Sequence, residues 1–228
     1  MTEMTTAARH PLVPMMTPEE YTRTDEELLR EGQWAARTAI LTSSALSVGV
    51  SQRDEARCIV RARQLGIPVI RRSTGGLGLW HAPGDVVWSL VLPRSDPRVG
   101  DDFSKAYARL GAGVVHCLAS RGVAAVWQAP SGPPGEYCLL SGAGAILSVD
   151  GRALGGAAQH LTRHALLHHG VLPYRLDPRR LSELFDLPPE LIDRSLTSLD
   201  RVTPGTTALE LAGQLQSVLV ASAKETES

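Results

Sequence analysis

Residues 71–85 read RRSTGGLGLWHAPGD, and this stretch decides how the rest of the chain is interpreted. It opens with two arginines, and a turn formed by Thr74, Gly75 and Gly76 follows them. Paired glycines let a backbone turn tightly and approach a ligand closely. Main-chain N–H groups beside two guanidiniums would suit a phosphate, an adenylate or a carboxylate. A glycine-rich hairpin with surface arginines would have the same sequence, and the stretch is not a P-loop because no Gly-Lys-Ser/Thr follows.

The composition indicates an ordinary folded protein. The chain has 228 residues, of which 43% are apolar, and a formal net charge of −1. That apolar fraction can build a sizeable core and argues against wholesale disorder. The near-neutral charge argues against nucleic-acid partners and anionic membranes. We expect a flexible tail over residues 1–16 and a single domain over residues 17–228.

The cysteine pattern and the lack of long apolar runs indicate the cytoplasm. Cys58, Cys117 and Cys138 are odd in number and lack the spacing of a disulfide framework, which favours a reducing compartment. The first residues, MTEMTTAARHP, contain no apolar run of signal-peptide length. No stretch reaches the ~18 apolar residues of a membrane span. We therefore predict a cytoplasmic protein.

Hydrophobic periodicity and turn signals predict helices and strands in an irregular order. A capping-box pattern at Thr17, Pro18 and Glu20 starts the first helix, and Asp150-Gly151 is a hairpin signal. The predicted helices cover residues 18–33, 53–65, 101–121, 178–201 (as short helices) and 206–224. The predicted strands cover one or two segments in 38–50, then 67–71, 85–92, 123–128, 145–149, residues from 152 onward, and 165–176, with a turn-rich loop at 129–136. This order lacks a regular βαβ alternation, which favours an α+β fold with a mixed, largely antiparallel sheet flanked by helices.

Several motifs in one order resemble the lipoate–protein ligase and octanoyltransferase family. The pair of arginines, the Thr-Gly-Gly turn and the histidine at 81 match the family hallmark in order and spacing, and residues 48–52 resemble its upstream strand. Residues 151–159 and 168–170 resemble its second and third motifs, so the match covers about residues 22–175. The resemblance implies a fold shared with biotin ligases, with the acyl chain held in a tunnel beside the glycine-rich turn. It implies that the acyl or adenylate group is bound by Arg71, Arg72, Thr74, Gly75, Gly76, Leu77, His81, Ala153, Gly156, Ala157 and His169.

One position departs from the family pattern. The family carries a lysine six residues before the glutamine of the second motif, where its ammonium is thought to hold the acyl carbonyl or the adenylate phosphate; here that residue is Ala153. We expect the Ala153 side chain to point into the pocket and the neighbouring Arg152 to point away, because side chains alternate along a strand. Three interpretations stay open: binding without catalysis, use of another cation such as Arg72, or work with a partner chain.

Two details resemble the cysteine-dependent transferases of this family more than its ligases. Leu77 stands where ligases tend to carry glycine, and Cys138 sits just before the strand that leads into the second motif. A thiolate is a strong nucleophile, and thioester exchange is nearly isoenergetic, so Cys138 is the candidate nucleophile. Cys58 and Cys117 lie on helical patterns and are interpreted as packing residues.

The histidines suggest pocket residues more than a metal site. His160, His164 and His168 recur every four residues, which on a helix would line one face and could bind zinc. That segment resembles strand–turn–strand in the family and no carboxylate accompanies it, so we predict no metal site. His81 and His169 match motif positions, and we expect them to shape the pocket by hydrogen bonds or to be plain core residues.

The leading hypothesis from the sequence is an acyltransferase that moves octanoyl or lipoyl groups to a lysine of a lipoyl carrier domain, through a thioester on Cys138. The carrier would be a glycine cleavage H protein or a dehydrogenase E2, with acyl carrier protein as a donor. The alternative is an ATP-dependent lipoate–protein ligase that would use ATP and Mg²⁺, with an accessory subunit as part of this hypothesis. A catalytically weak homologue that binds acyl groups or carriers is the third interpretation.

Overall fold

The computed structural model describes residues 12–100, 103–128, 135–141 and 144–224. The strands are β1 (Met15–Met16), β2 (Ala35–Leu41), β3 (Ala45–Val48), β4 (Val69–Arg71), β5 (Leu79–His81), β6 (Val86–Pro93), β7 (Ala125–Gln128), β8 (Ala145–Val149), β9 (Arg152–Leu161) and β10 (Ala165–Leu172). The helices are α1 (Pro18–Glu31), α2 (Arg57–Gln64), α3 (Phe103–Leu110), α4 (Ala112–Ala119), α5 (Pro178–Phe185), α6 (Pro189–Ser195), α7 (Leu199–Val202) and α8 (Ala208–Lys224). None of the helices in the described ranges is long and apolar enough to cross a membrane.

Two sheets organise the molecule. The larger has the order β1-β2-β6-β10-β9-β8-β7, in which only the short β1 runs parallel to its neighbour. The smaller has the order β4-β3-β5, with β3 parallel to β4 and antiparallel to β5. The predicted α+β class with a mixed, largely antiparallel sheet is therefore confirmed.

The two sheets bury separate apolar clusters. One cluster joins the large sheet to α3, α4 and α8, and includes Trp88, Leu154 and Leu215. The other lies among the small sheet, α2, α5 and α6, and includes Leu46 and Leu184. Helix α1 packs on β10 at the opposite face of the large sheet. The layers leave room for a ligand where the small sheet meets the large one.

Two local signals in the sequence predicted their structures correctly. The main-chain N–H of Glu20 donates to Thr17 Oγ1 at 3.2 Å, and the Glu20 carboxylate accepts from the Thr17 N–H at 2.8 Å, so the capping box is present at the start of α1. Asp150 and Gly151 have φ values of 49° and 75° between the antiparallel strands β8 and β9. Two consecutive residues in the left-handed region are what a type I′ hairpin requires.

Two predicted elements are wrong in detail. The predicted loose tail over residues 1–16 ends instead in β1, where the Met16 carbonyl accepts from the Thr42 N–H at 2.9 Å. The single helix predicted for residues 101–121 is interrupted at Gly111. The Trp127 indole N–H donates to the Gly111 carbonyl at 3.0 Å, and a Cβ at this glycine would lie 2.3 Å from the indole nitrogen. The indole thus packs directly on the backbone that separates α3 from α4.

Parts of three predictions lie outside the described residues. These are residues 1–11 of the predicted tail, residues 101–102 at the start of a predicted helix, and residues 129–134 of the predicted turn-rich loop.

Candidate active site

A cavity lies between the two sheets and α1 and, with its open mouth, encloses about 630 Å³. Most of its wall is aliphatic, with side chains from both sheets and from the loop before β8: Leu41, Leu79, Val87, Leu139, Ile146 and Val171. A few polar side chains interrupt this wall, chiefly Ser47, Arg72, His81, Cys138 and His169. An apolar cleft of this size with a few converging polar groups is typical of small-molecule sites.

Arg72 directs its guanidinium inward and braces the glycine-rich turn. It donates to the carbonyls of Gly75 and Leu77 at 3.0 and 2.8 Å and to Ser47 Oγ at 3.2 Å. Burial lowers the pKa of Arg72, and the neighbouring Cys138 opposes part of that shift. The guanidinium therefore lies within electrostatic range of the thiol, and its charge faces the cavity.

The other turn residues lie outside the cavity lining, which corrects the expectation that the whole turn borders the pocket. Arg71 points away because side chains alternate on β4; it donates to the Gln52 carbonyl at 2.6 Å and pairs with Asp54 at 2.8 Å. The turn itself packs backbone to backbone on Gly49, where a Cβ would lie 2.1 Å from the Gly76 carbonyl oxygen. Thr74 is buried, and it connects to the cavity through a lining histidine described below. Of these residues, Gly75 and Leu77 hold the Arg72 guanidinium through their carbonyls.

Cys138 lines the cavity on a loop that is fixed by main-chain hydrogen bonds. Its N–H donates to the Gly78 carbonyl at 2.8 Å, and the Gly78 N–H donates to the Glu136 carbonyl at 2.9 Å. The Glu136 carboxylate in turn accepts from the N–H groups of Arg57 and Cys58, at 2.8 and 2.9 Å, at the start of α2. A carboxylate is favourable at a helix N-terminus, so this contact anchors the loop that carries the thiol.

The other two cysteines are packing residues. Cys58 and Cys117 are buried on α2 and α4, and neither lines the cavity. Burial raises the pKa of each thiol to about 11, which disfavours the nucleophilic thiolate. Cys138 is therefore the one cysteine of the three that a ligand in the cavity could reach.

His81 is neutral and belongs to a network of hydrogen bonds with Ser47 and Arg72. Burial and the Arg72 charge lower the pKa of His81 to about 3. Ser47 Oγ accepts from Arg72 at 3.2 Å and lies 2.9 Å from His81 Nε2. The Nδ1 of His81 is a buried atom for which the described residues provide no partner. His81 is therefore a neutral polar side chain in the cavity wall, and Ser47 connects it to Arg72.

His169 belongs to a chain of polar contacts that crosses from the glycine-rich turn to α1. Its Nε2 lies 2.9 Å from Thr74 Oγ1, and its Nδ1 lies 2.7 Å from Asp25 Oδ2. The other carboxylate oxygen of Asp25 accepts from Arg37 Nη2 at 2.6 Å. Burial by itself would raise the pKa of Asp25, but the contacts with His169 and Arg37 outweigh it and lower that pKa. The carboxylate is therefore ionised at neutral pH although it is buried.

The sequence reasoning missed Asp25 and Arg37. A usable signal exists, since Tyr21, Asp25 and Leu29 recur every four residues and all face inward on α1. An acidic residue in the apolar stripe of an amphipathic helix requires a buried partner.

Ala153 does not point into the cavity, which corrects the expectation drawn from the motif. It is buried in the second apolar cluster beside Leu46, Tyr137 and Leu196, and it is absent from the cavity lining. A bulge in the pairing of β8 with β9 places Ala153 opposite Ser148 and Gly155 opposite Leu147, which breaks the strict alternation. Further along β9, Gly156 and Ala157 do line the cavity, as expected.

The three regularly spaced histidines do not converge. His168 is fully buried, with ring centroids 4.8 Å from Trp88 and 5.6 Å from Tyr107, and its Nδ1 lies 3.0 Å from Gln159 Nε2. His160 is on β9, and His164 is in the turn that follows. Within the described ranges, no group of three or more His, Cys, Asp or Glu side chains is placed to hold a metal ion.

Comparison with known proteins agrees with this architecture. Octanoyltransferase LipM of an Exiguobacterium species is 32% identical over 153 residues, which are 62% of this chain and 54% of that protein. Octanoyltransferase LipM of Staphylococcus aureus is 26% identical over 154 residues, 63% of this chain and 54% of that protein. The chain thus spans about half the length of the curated relatives it matches.

Solved structures share the fold at low sequence identity. Lipoate-protein ligase A bound with ATP superimposes with a TM-score of 0.70 at 18% identity, over 95% of this chain and 84% of that one. The bi-partite lipoate protein ligase of Thermoplasma acidophilum superimposes with a TM-score of 0.67 at 19% identity, over 96% and 84%. The family model described as the lipoyl protein ligase A/B catalytic domain matches residues 18–219. Because that match covers most of the chain, the chain belongs to the lipoyl protein ligase A/B catalytic domain family.

Proposed function

We propose that this domain is an acyltransferase that moves an octanoyl or lipoyl group to a lysine of a lipoyl carrier domain, with Cys138 as the covalent relay. The observation that carries the proposal is that Cys138 lines a mostly aliphatic cavity while the other two cysteines are buried elsewhere. The names of the octanoyltransferase relatives support the same reaction class.

The cavity wall suits a saturated acyl chain. An octanoyl group has six methylenes, and burying each contributes about 0.8 kcal/mol, so the aliphatic wall could supply roughly 5 kcal/mol of binding free energy. Cys138 and Arg72 lie at the same cavity as this wall. The chain would fill the aliphatic part, and its carbonyl would lie at the polar part.

The reaction would proceed through two acyl exchanges. The sulfur of Cys138 attacks the thioester carbonyl of the donor, for which acyl carrier protein is the proposed source, and the donor thiol leaves. The amine of the carrier lysine then attacks the Cys138 thioester, an amide forms, and the Cys138 thiol is regenerated. The Arg72 charge would stabilise the negative charge that develops on the carbonyl oxygen.

An ATP-dependent ligase is the second candidate, supported by the shared fold with a lipoate-protein ligase that binds ATP. In that case ATP and Mg²⁺ would be required, and an accessory subunit is part of the hypothesis. The lining favours the transferase, because among the described residues Arg72 is the charged cation at the cavity and His81 is neutral. A single guanidinium is a weak match for a polyphosphate.

Two parallel incubations separate these functions. The domain is mixed with a lipoyl domain from a glycine cleavage H protein or a dehydrogenase E2, and with either octanoyl-acyl carrier protein alone or octanoate, ATP and Mg²⁺. Mass spectrometry of the lipoyl domain should show octanoylation with the first mixture. Modification with the second mixture alone would establish the ligase, and modification with neither would favour a binding protein.

A further inference from the structure

We propose that His169, oriented by Asp25, accepts the proton from the group that attacks the acyl carbonyl, so that an Asp–His pair provides the base function of this site. The inference rests on the proposed function, because it assigns a base to the acyl transfer through Cys138. Asp25 would act as a positioning residue, and Thr74 would hold the second nitrogen of the imidazole until a substrate group replaces it.

The geometry fixes the tautomer of His169. The ionised carboxylate of Asp25 can only accept, so the Nδ1 of His169 carries the proton that joins them at 2.7 Å. In a neutral imidazole, Nε2 then carries a lone pair, and it accepts from the Thr74 hydroxyl at 2.9 Å. A histidine base whose Nδ1 is hydrogen-bonded to a buried carboxylate has the arrangement seen in nucleophile–histidine–acid sites.

The carboxylate itself is held rigidly. Asp25 is 1% exposed and accepts from Arg37 at 2.6 Å, while Arg37 also donates to the Tyr21 carbonyl at 2.6 Å and to Ser89 Oγ at 3.0 Å. One oxygen of the Asp25 carboxylate thus pairs with Arg37, and the other oxygen remains hydrogen-bonded to His169. When His169 takes up a proton, Asp25 stabilises the imidazolium that forms.

The other polar groups at the cavity are poorer bases. Arg72 has no lone pair to offer, and burial lowers the pKa of His81 to about 3. Burial raises the pKa of the Tyr21 hydroxyl, which leaves it protonated. The position of the family lysine is Ala153, which packs in an apolar cluster outside the lining. His169 lines the same cavity as Cys138 and retains an accepting nitrogen.

The proton balance is complete in both exchanges. In the first, Nε2 of His169 takes the proton of the Cys138 thiol as the sulfur–carbonyl bond forms, and it returns that proton to the departing donor thiolate. In the second, Nε2 takes a proton from the attacking lysine amine and returns it to the Cys138 thiolate as that leaves. Thr74 has to give up its hydrogen bond to Nε2 for each transfer, or pass the proton through its hydroxyl.

The test measures how fast Cys138 is acylated by octanoyl-acyl carrier protein, followed by intact mass in quenched samples. His169→Ala should slow acylation by about 10²- to 10⁴-fold, the usual contribution of a general base. Added imidazole should restore part of the rate, because a small base can occupy the space left by the ring. The matched control is His168→Ala on the same strand, whose wild-type side chain packs against Trp88 outside the cavity lining. It should respond to imidazole no more than the wild type does.

A second arm keeps the proposal testable if His169→Ala folds poorly. Nitrogen-15 spectra of the imidazole rings should show His169 protonated on Nδ1 in the wild type and a change of tautomer in Asp25→Asn, together with slower acylation. His169→Gln, which keeps hydrogen-bonding groups and lacks a basic nitrogen, should be as slow as His169→Ala.

The outcomes distinguish a failure of His169 as the base from a failure of Cys138 as the covalent relay. If the wild type is acylated and folded His169→Gln reacts at the wild-type rate, His169 is not the base and the transferase still stands. A slow His169→Ala that imidazole does not accelerate, with wild-type rates in Asp25→Asn, also overturns the proposal. If the wild type forms no thioester at all, the proposed function fails first and the base assignment falls with it.

Discussion

Nδ1 of His169 lies 2.7 Å from Oδ2 of Asp25, although 144 residues separate them in the chain. One residue comes from α1 and the other from β10, so this contact joins the first helix to the centre of the large sheet. Through the 2.9 Å contact of His169 with Thr74, it also joins that helix to the glycine-rich turn. The wall of the cavity is therefore held in shape by a chain of buried polar contacts as well as by apolar packing.

Removing Asp25 should destabilise the protein strongly. Asp25→Ala leaves the Arg37 guanidinium without its carboxylate, at a site where the two side chains are 2% and 15% exposed. Breaking a buried ion pair by removing one partner typically costs about 3–5 kcal/mol. Urea unfolding at neutral pH should show this loss, and Glu27→Ala, at an exposed position of the same helix, is the control. A loss no larger than that of the control would show that the pair is far weaker than its geometry indicates.

A methyl group should destabilise the protein at Gly49 and have little effect at Gly75. A Cβ on Gly49 would lie 2.1 Å from the Gly76 carbonyl oxygen. A Cβ on Gly75 would meet no atom of the described residues within 4 Å apart from those of its own chain neighbours. Gly49→Ala should therefore lower stability by about 1–3 kcal/mol, the usual cost of overpacking, and displace the turn that Arg72 braces. Gly75→Ala should change stability by no more than about 0.5 kcal/mol. Equal effects in thermal or urea unfolding would contradict the packing of the turn on Gly49.

A lysine at position 153 should lower stability and should not raise the rate of acyl transfer. Ala153 lies in an apolar cluster with Leu46, Tyr137 and Leu196, so Ala153→Lys would bury an ammonium or force the cluster open. We expect a loss of stability of several kcal/mol in urea unfolding and no increase in acyl transfer. The matched control is Arg152→Lys, at a partly exposed neighbour. A stable Ala153→Lys variant with faster transfer would show that this side chain reaches the acyl site after all.

Acid should weaken the fold through its buried histidines. Burial lowers the pKa of both His81 and His168 to about 3, well below the ~6.5 of an unfolded histidine. Between those values the unfolded state binds more protons, so each histidine removes stability as the pH falls below about 6.5, by up to ~1.4 kcal/mol per pH unit. Asp85 acts in the opposite direction, because burial raises its pKa to about 7.

Comparing variants isolates one histidine from these opposing effects. His168→Gln should reduce the slope of unfolding free energy against pH between about 4 and 6 by close to one proton. His116→Gln, at an exposed position of α4, is the control and should keep the wild-type slope. If His168→Gln also keeps the wild-type slope, then His168 is not buried as a neutral ring.

The sequence predicted those features of the fold that depend on local pattern. Thr17 with Glu20 and Asp150 with Gly151 formed the predicted cap and turn because their partners are near in sequence. The orientation of Ala153 does not follow from strand alternation alone, because a bulge between β8 and β9 depends on the pairing of two strands and has no signature in either one. Arg71 and Arg72 looked equivalent in sequence, and only the orientation of β4 in its sheet decides which one faces the cavity.

The contact of Asp25 with His169 shows the other kind of limit. Asp25 is marked by its place in the inward stripe of α1 and His169 by its motif position, but their pairing exists only because α1 packs on β10. Cys138 was found from its position before a motif, whereas its accessibility depends on the hydrogen bonds of its loop with Gly78 and α2. Interactions between distant segments are therefore what the structure adds to the sequence.

The covalent role of Cys138 is tested by the mass of the protein after exposure to octanoyl-acyl carrier protein. The wild type and Cys117→Ala, which changes a buried cysteine outside the cavity, should each gain one octanoyl group that hydroxylamine removes. Cys138→Ser should not gain that hydroxylamine-labile thioester. A thioester of the same mass and lability in Cys138→Ser, or no adduct in the wild type, would contradict the assignment of Cys138 as the covalent relay.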